Sequence, residues 1–428
     1  MKAELKIKSK MLKTAALCGT VLATLFAGCG KSTQTVKNIE GIENYAAQIT
    51  DITIPDEVKI IGLGEATHGN RELQTQKKEV FEILIEKDLC HVFALEADFG
   101  GAVRVNEYIH GGDGTAEEAV CELGFGLYRT DEMADFVEWL RTYNETAAES
   151  AQVSFYGFDM QRYDNNKKIL FDYLSKVDPE NEQKLEEALQ ALTDETVYSQ
   201  TKEANTKAAE DMTAFLSEME EKREEYIAQS DERSYKIAYA CGECILQNAT
   251  IQSGSVSYSK ARDQYMAEKV TTILDIEKTD RLMISGHNGH IQKKSSNPTF
   301  TCMGELLAGQ YKEAYFTIGT DFIKGEVNVI DETGNEANVE IESHNVLKDQ
   351  IQNLEGNVFY FDIAKASENT ELAEIMNQPI RIISIGNDLS SMQRSMEKFY
   401  TTKDVPAENY DGLIIFKTVT PTERKPVK

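Results

Sequence analysis

The sequence predicts an α/β fold with a mostly parallel central sheet flanked by helices, a long helical insertion and a smaller C-terminal α+β element. Three observations carry that expectation. Short apolar runs alternate with helical segments, the signature of strand–helix–strand units. Between Gly157 and Gly242 there is no glycine and Pro179 is the single proline, so an unbroken helical stretch interrupts the alternation. Beyond Tyr315 the alternation gives way to a hairpin signal.

The first 28 residues stand apart from the fold. Lys2, Lys6, Lys8, Lys10 and Lys13 precede an apolar stretch from Thr14 to Ala27, shorter than the roughly twenty residues a membrane-spanning helix needs. The stretch ends in Leu25-Phe26-Ala27-Gly28-Cys29, which resembles a bacterial lipoprotein signal with Cys29 as the lipidated residue. The expected location is therefore extracytoplasmic, with a lipid anchor in the membrane. The following Gly30-Lys31-Ser32 is no phosphate-binding loop, because Leu25 stands where that motif needs its first glycine. Residues 29–40 read as a linker, 41–164 as the first part of the core, 165–252 as the insertion and 253–428 as the second part.

Within the core, Val58–Leu63, His91–Leu95, Val153–Phe158 and Leu282–Ser285 read as buried strands. Arg71–Lys87, Gly101–Ile109, Asp131–Tyr143 and Asp263–Glu277 read as helices. The insertion is rich in Glu, Lys, Ala and Leu, all good helix formers, and its charge run Glu218–Glu225 reads as a solvated face. Near the C-terminus, Phe322–Ile330 and Ala337–Glu342 flank the turn residues Asp331-Glu-Thr-Gly-Asn335. Val358–Ile363, Ile380–Ile385 and Leu413–Lys417 suggest further strands.

Charge and cysteine content narrow the function. With 72 acidic against 45 basic residues the formal charge is −27, which removes any general attraction for a phosphate backbone and argues against nucleic acid as a partner. Cys90, Cys121, Cys241, Cys244 and Cys302 form no disulfide framework, and Cys241-Gly-Glu-Cys244 reads as a buried helical pair because no second pair completes a zinc site.

The histidines carry the chemistry. Glu65 and His68 follow the first strand, and His287 and His290 follow the fourth; Glu96 and Asp159 end the strands between them. In an open α/β sheet ligands bind at the carboxyl ends of the strands, so four strand ends deliver these groups to one edge. Two chemistries fit three histidines and two carboxylates. A neutral histidine acts as general base on water, or the same set binds a divalent metal that lowers the pKa of its water. Spacing leaves both open. A Gly-x-Ser-x-Gly elbow and a His-Glu-x-x-His motif are both absent from the sequence.

The motifs GLGEATHG at 62–69, ALE at 94–96, Asn106-Glu-Tyr108, Glu138-Trp-Leu-Arg-Thr-Tyr-Asn144, YGFDMQ at 156–161, Arg262-Asp-Gln-Tyr-Met266 and GHNGH at 286–290 occur in one order. In that combination the chain resembles the erythromycin esterase family. The resemblance implies hydrolysis of an ester or macrolactone of a small-molecule substrate, with macrolide inactivation as the activity known in the family's resistance members. It further implies His68 as general base, with Glu65, Glu96, His287 and His290 as its catalytic neighbours. Lys77, Asp159, Asn106, Asn288 and Arg262 are the implied substrate-binding or supporting residues. Lys77 occupies a position where some members carry Arg, and it supplies charge without a bidentate fork. The resemblance calls for no cofactor, while the donor set leaves a divalent metal open. The competing expectation is a surface lipoprotein that holds a metal or haem without hydrolysis.

Overall fold

An apolar run such as Ile60–Leu63 can hide both of its faces only inside a sheet covered on two sides, and every residue of it is buried. The computed structural model describes residues 38–426. Its described strands are β1 (Ile60–Glu65), β2 (Val92–Asp98), β3 (Ser154–Asp159), β4 (Leu282–His287), β5 (Tyr315–Ile330), β6 (Glu336–Glu342), β7 (Val358–Asp362), β8 (Ile380–Ile383), β9 (Thr401–Asp404) and β10 (Gly412–Val419). The proposed lipidation site Cys29 and the segment before it lie outside the described residues.

The central sheet runs in the order β3-β2-β4-β1-β5-β10-β7, with β6 paired to β5. The pairs β3–β2, β2–β4, β4–β1, β1–β5 and β5–β10 are parallel. Only β7 at one edge and the β6 arm run antiparallel. The expected mixed α/β architecture is thus the observed one. All four strands read from the first apolar runs are present, and each continues one or more residues further into the motif that follows it.

Side-chain alternation divides the interior. Ile61, Leu63, Phe93 and Leu95 face one core, which the helices α1 (Arg71–Glu86) and α4 (Asp131–Thr146) cover with Phe81, Leu84, Phe136 and Leu140. Ile60, Ala94, Tyr156 and Ile284 face the other. The short α2 (Phe99–Ile109) and α3 (Ala116–Cys121) connect β2 to α4. The second core is closed by the insertion, which forms α5 (Asp164–Val177), α6 (Pro179–Leu189), α7 (Lys202–Glu221), α8 (Arg223–Gln229) and α9 (Glu232–Ser253), and by α10 (Tyr258–Glu277). Cys241 and Cys244 are fully buried inside α9, and burial pushes the Cys244 thiol up to about 12, so both act as small apolar residues.

The C-terminal element is joined to the core through β5. Its first residues pair with β1, while Lys324–Ile330 form the hairpin with β6. Asp331 closes that turn by accepting the backbone N–H groups of Thr333 and Asn335 at 2.7 and 3.2 Å. Only β8 and β9 form a separate ribbon. Ile385, just past β8, bridges Thr67 and so braces the turn that carries His68.

Candidate active site

The sheet order places Asp159, Glu96, His287 with His290, and Glu65 with His68 on or just past four neighbouring strands, β3, β2, β4 and β1. Residues far apart in the chain therefore meet at one carboxyl edge. Glu65 and His287 are register partners across β1 and β4.

Two glycines make the edge possible. A Cβ on Gly64 would come within 2.1 Å of Asn288 Oδ1, and one on Gly286 within 2.8 Å of Glu96 Oε2. Close approach of side chains, and not phosphate binding, explains both glycine-bearing motifs. Asn288 uses that space to clamp the β4 turn to β5, donating to Thr320 O at 2.7 Å and accepting the Thr320 N–H at 3.2 Å. Between β2 and β3 the register slips after Leu95, so an extra residue sits opposite β3 and re-aims Glu96.

His68 is buried, with 7% of its surface exposed, and its Nδ1 lies 2.8 Å from Glu65 Oε1. A carboxylate partner fixes the ring proton on Nδ1, which leaves Nε2 with the lone pair. Glu65 Oε2 accepts from the fully buried Lys77 ammonium at 2.7 Å. Burial alone would push the Glu65 carboxyl up; Lys77 and His68 outweigh it and hold the group below the usual range. Lys77 also donates to Gln74 Oε1 at 3.2 Å and Leu73 O at 3.3 Å, and Gln74 in turn donates to His68 O at 2.9 Å.

His287 has the opposite tautomer. Its Nδ1 accepts the Gly289 N–H at 3.2 Å, so the neutral ring carries its proton on Nε2. Among the described residues that buried Nε2 has no hydrogen-bond partner, and the ring centroid lies 5.6 Å from that of His68. Burial, reinforced by His68, depresses His287 to about 4, which keeps it neutral under ordinary conditions. His290 follows at 6.4 Å from His287, completing a row of three imidazoles.

Glu96 anchors the other end of the row. It accepts Arg262 Nη2 at 2.7 Å and the His287 N–H at 2.7 Å, and it lies 3.4 Å from His290 Nε2. Burial opposes its ionisation, but His290 and Arg262 hold its carboxyl far below the usual range. Arg262 Nη2 also donates to Asp159 Oδ2 at 2.7 Å, and Tyr128 donates to Glu96 O at 3.0 Å.

Of the residues expected from the sequence, Glu65, His68, Lys77, Glu96, Asp159, Arg262, His287 and His290 form one network, and Asn288 ties the adjoining turn to β5. Asn106 stands elsewhere. Its Oδ1 accepts the Phe155 N–H at 2.9 Å near the start of β3, so it pins α2 to the sheet away from the carboxyl edge. Asp263 and Tyr128 join the network although sequence reasoning assigned them no role. Asp263 had a signal, as an acid beside Arg262 in the same motif, whereas a lone Tyr between turns gives none. Among the described residues, no group of three or more His, Cys, Asp or Glu is placed to hold a metal ion. A groove of about 870 Å³ between the insertion and α10 is lined by Tyr239, Gln247 and Tyr265 and contains none of these histidines.

Fold and site together define an open α/β protein with a histidine–carboxylate centre at the carboxyl edge of a parallel sheet. The profile of the family described as erythromycin esterase matches residues 85–419, and the chain belongs to that family. The matched span begins after Glu65 and His68, which stand on the motif at 62–69 and on the geometry. Erythromycin esterase type II of Escherichia coli is 26% identical over 297 residues, covering 63% of this chain and 70% of that protein. A Bacillus cereus structure superposes with a TM-score of 0.76 at 20% identity, covering 89% of this chain and 96% of the other. A succinoglycan biosynthesis protein gives 0.74 at 20% identity, over 93% of this chain and all of its own. A histidine-to-asparagine mutant of an erythromycin esterase, in its open conformation, gives 0.62 at 15% identity over 87% of this chain and 93% of its own. Family membership supports an esterase-like hydrolase.

Proposed function

We propose that the protein is a lipid-anchored, extracytoplasmic hydrolase that opens an ester or macrolactone with a water activated by His68. The observation that carries this reading is the pair of opposed tautomers. His68 offers a lone pair on Nε2 backed by Glu65, and His287 offers a free N–H across a gap of 5.6 Å between ring centroids.

His68 Nε2 takes a proton from water as the water oxygen bonds to the acyl carbon. The imidazolium so formed is steadied by Glu65, itself held in place by Lys77. The carbonyl oxygen becomes an oxyanion that accepts the His287 Nε2–H, a donor that has no partner among the described residues. Collapse re-forms the carbonyl and breaks the bond from the acyl carbon to the alkoxy oxygen. The departing alkoxide takes the proton back from His68, so one water is consumed and an acid and an alcohol are released. Arg262 and Glu96 need no proton change in this sequence; they hold the His287 backbone and the His290 ring.

A macrolide is the substrate class the family suggests, and the acidic surface favours a cationic member such as an aminosugar macrolide. The test is incubation of the purified protein with macrolides and simple esters, read by mass spectrometry. Addition of one water to any of them supports the reading, and no turnover by a folded protein across the panel rejects it.

A further inference from the structure

Two histidines in the row lean on a carboxylate, and the mechanism above uses only the pair of His68 with Glu65. The second pair joins His290, just past β4, to Asp263 on α10. His290 Nδ1 is 2.7 Å from Asp263 Oδ1, and His290 Nε2 is 3.0 Å from Arg262 Nη1. Arg262 and Asp263 are consecutive, so their side chains leave the helix roughly 100° apart. They reach the same ring because it stands between them, one on each nitrogen.

We infer that Asp263 is a positioning residue of the reaction centre, acting through the tautomer of His290 to keep Arg262 on Glu96. The inference rests on the hydrolytic reading of this cluster. A guanidinium can only donate, so the nitrogen facing Arg262 must accept and the ring proton must sit on the nitrogen facing Asp263. Asp263 is 1% exposed and its Oδ1 also accepts the Met303 N–H at 2.8 Å, so the acceptor is locked by α11 (Met303–Tyr311) as well as by α10. Without that acceptor the ring proton is free to move to Nε2. Two donors would then face each other, and the guanidinium would have to leave the position from which Nη2 binds both Glu96 and Asp159 at 2.7 Å. Glu96 would lose its partner, and with it the hold on the His287 N–H. The charged and titratable groups facing His290 are Glu96 from β2, Arg262 and Asp263 from α10, and His287 from the β4 turn. Glu96 and Asp263 push His290 up against the downward effect of burial.

The test reads the ring nitrogens of His290 by long-range proton–nitrogen NMR of the full chain without substrate. Read above the His290 midpoint, where the ring is neutral, the wild type is expected to show a protonated Nδ1 and a bare Nε2. Asp263→Asn, which keeps shape and removes charge, should lower the His290 midpoint by about one unit. On any ester the wild type hydrolyses, Asp263→Leu should lower kcat about a hundredfold with KM changed less than about twofold. A wild-type proton on Nε2 above that midpoint overturns the inference with no variant needed. An unmoved midpoint in a natively melting Asp263→Asn protein overturns it too, leaving Asp263 as a cap for Met303. A wild type that hydrolyses nothing defeats the hydrolytic reading alone, since the NMR arm needs no turnover.

Discussion

Lys77 is fully buried, and its hydrogen bonds go to Glu65, Gln74 and Leu73. Replacing it by Met would leave the Glu65 carboxylate buried and uncompensated, and we expect a loss of about 3 kcal/mol in urea unfolding. His68→Ala should lower hydrolysis by about a hundred- to ten-thousand-fold, measured on a confirmed substrate. Because His68 is buried against Glu65, it should also cost about 1 kcal/mol in the same unfolding assay, which a place on a turn at the sheet edge would not by itself suggest. His287 adds a pH dependence. Its folded pKa, about 4, lies below the ordinary histidine value of 6.5, so the unfolded chain binds the proton more readily between the two. Stability from this group is complete above pH 6.5 and is lost as pH falls toward 4. The depressed Glu65 carboxyl adds a loss in the same direction further into acid. Unfolding midpoints measured across that window should slope in the wild type and flatten over its upper part in His287→Gln; equal slopes would show that His287 is not held neutral.

At the scale of elements, the strand ends act as a rigid comb whose spacing glycine permits. Gly64→Ala places a methyl 2.1 Å from Asn288 Oδ1, and Asn288 is clamped to β5 on both its amide atoms, so it has nowhere to retreat. The expected cost is about 2–3 kcal/mol in thermal or chemical unfolding. Gly309 in α11 is the contrast. Nothing lies within 4 Å of a Cβ built there, so Gly309→Ala should stabilise by about 0.5–1 kcal/mol through helix propensity. The two variants separate a glycine required by close packing from one that helix formation merely tolerates. The same logic makes the slip between β2 and β3 a positioning device, since a regular register would carry Glu96 away from Arg262.

For the whole molecule, the proposed anchor and the proposed reaction are separable. Among the described residues, no helix is long and apolar enough to cross a membrane; the proposed anchor is lipid on Cys29, outside those residues. Cys29→Ala is expected to release the protein from washed membranes with its melting temperature unchanged. Retention of that variant on membranes after detergent-free washing would reject the lipid anchor and leave the hydrolytic reading intact. The sheet binds the two halves of the core on either side of the insertion, because β4 from the second half lies between β2 and β1 of the first.

Local pattern alone determined the strand–helix alternation, the helical insertion, the hairpin at Asp331–Asn335 and the strand-end positions of Glu65, Glu96, Asp159 and His287, because burial period and turn chemistry act over a few residues. It also singled out the pairs Glu65/His68 and His287/His290, since three-residue spacing beside glycine is visible in the chain itself. Tertiary structure alone decided the rest. Strand order is set by packing between segments far apart in sequence, and it made four separate strand ends into neighbours. It moved Asn106 out of the cluster, because α2 turns that residue toward the start of β3. It recruited Asp263 and Tyr128, whose partners come from distant elements. Above all it assigned the protons: which nitrogen of each histidine carries hydrogen depends on the acceptor or donor opposite it, and that partner is a fact of three-dimensional contact.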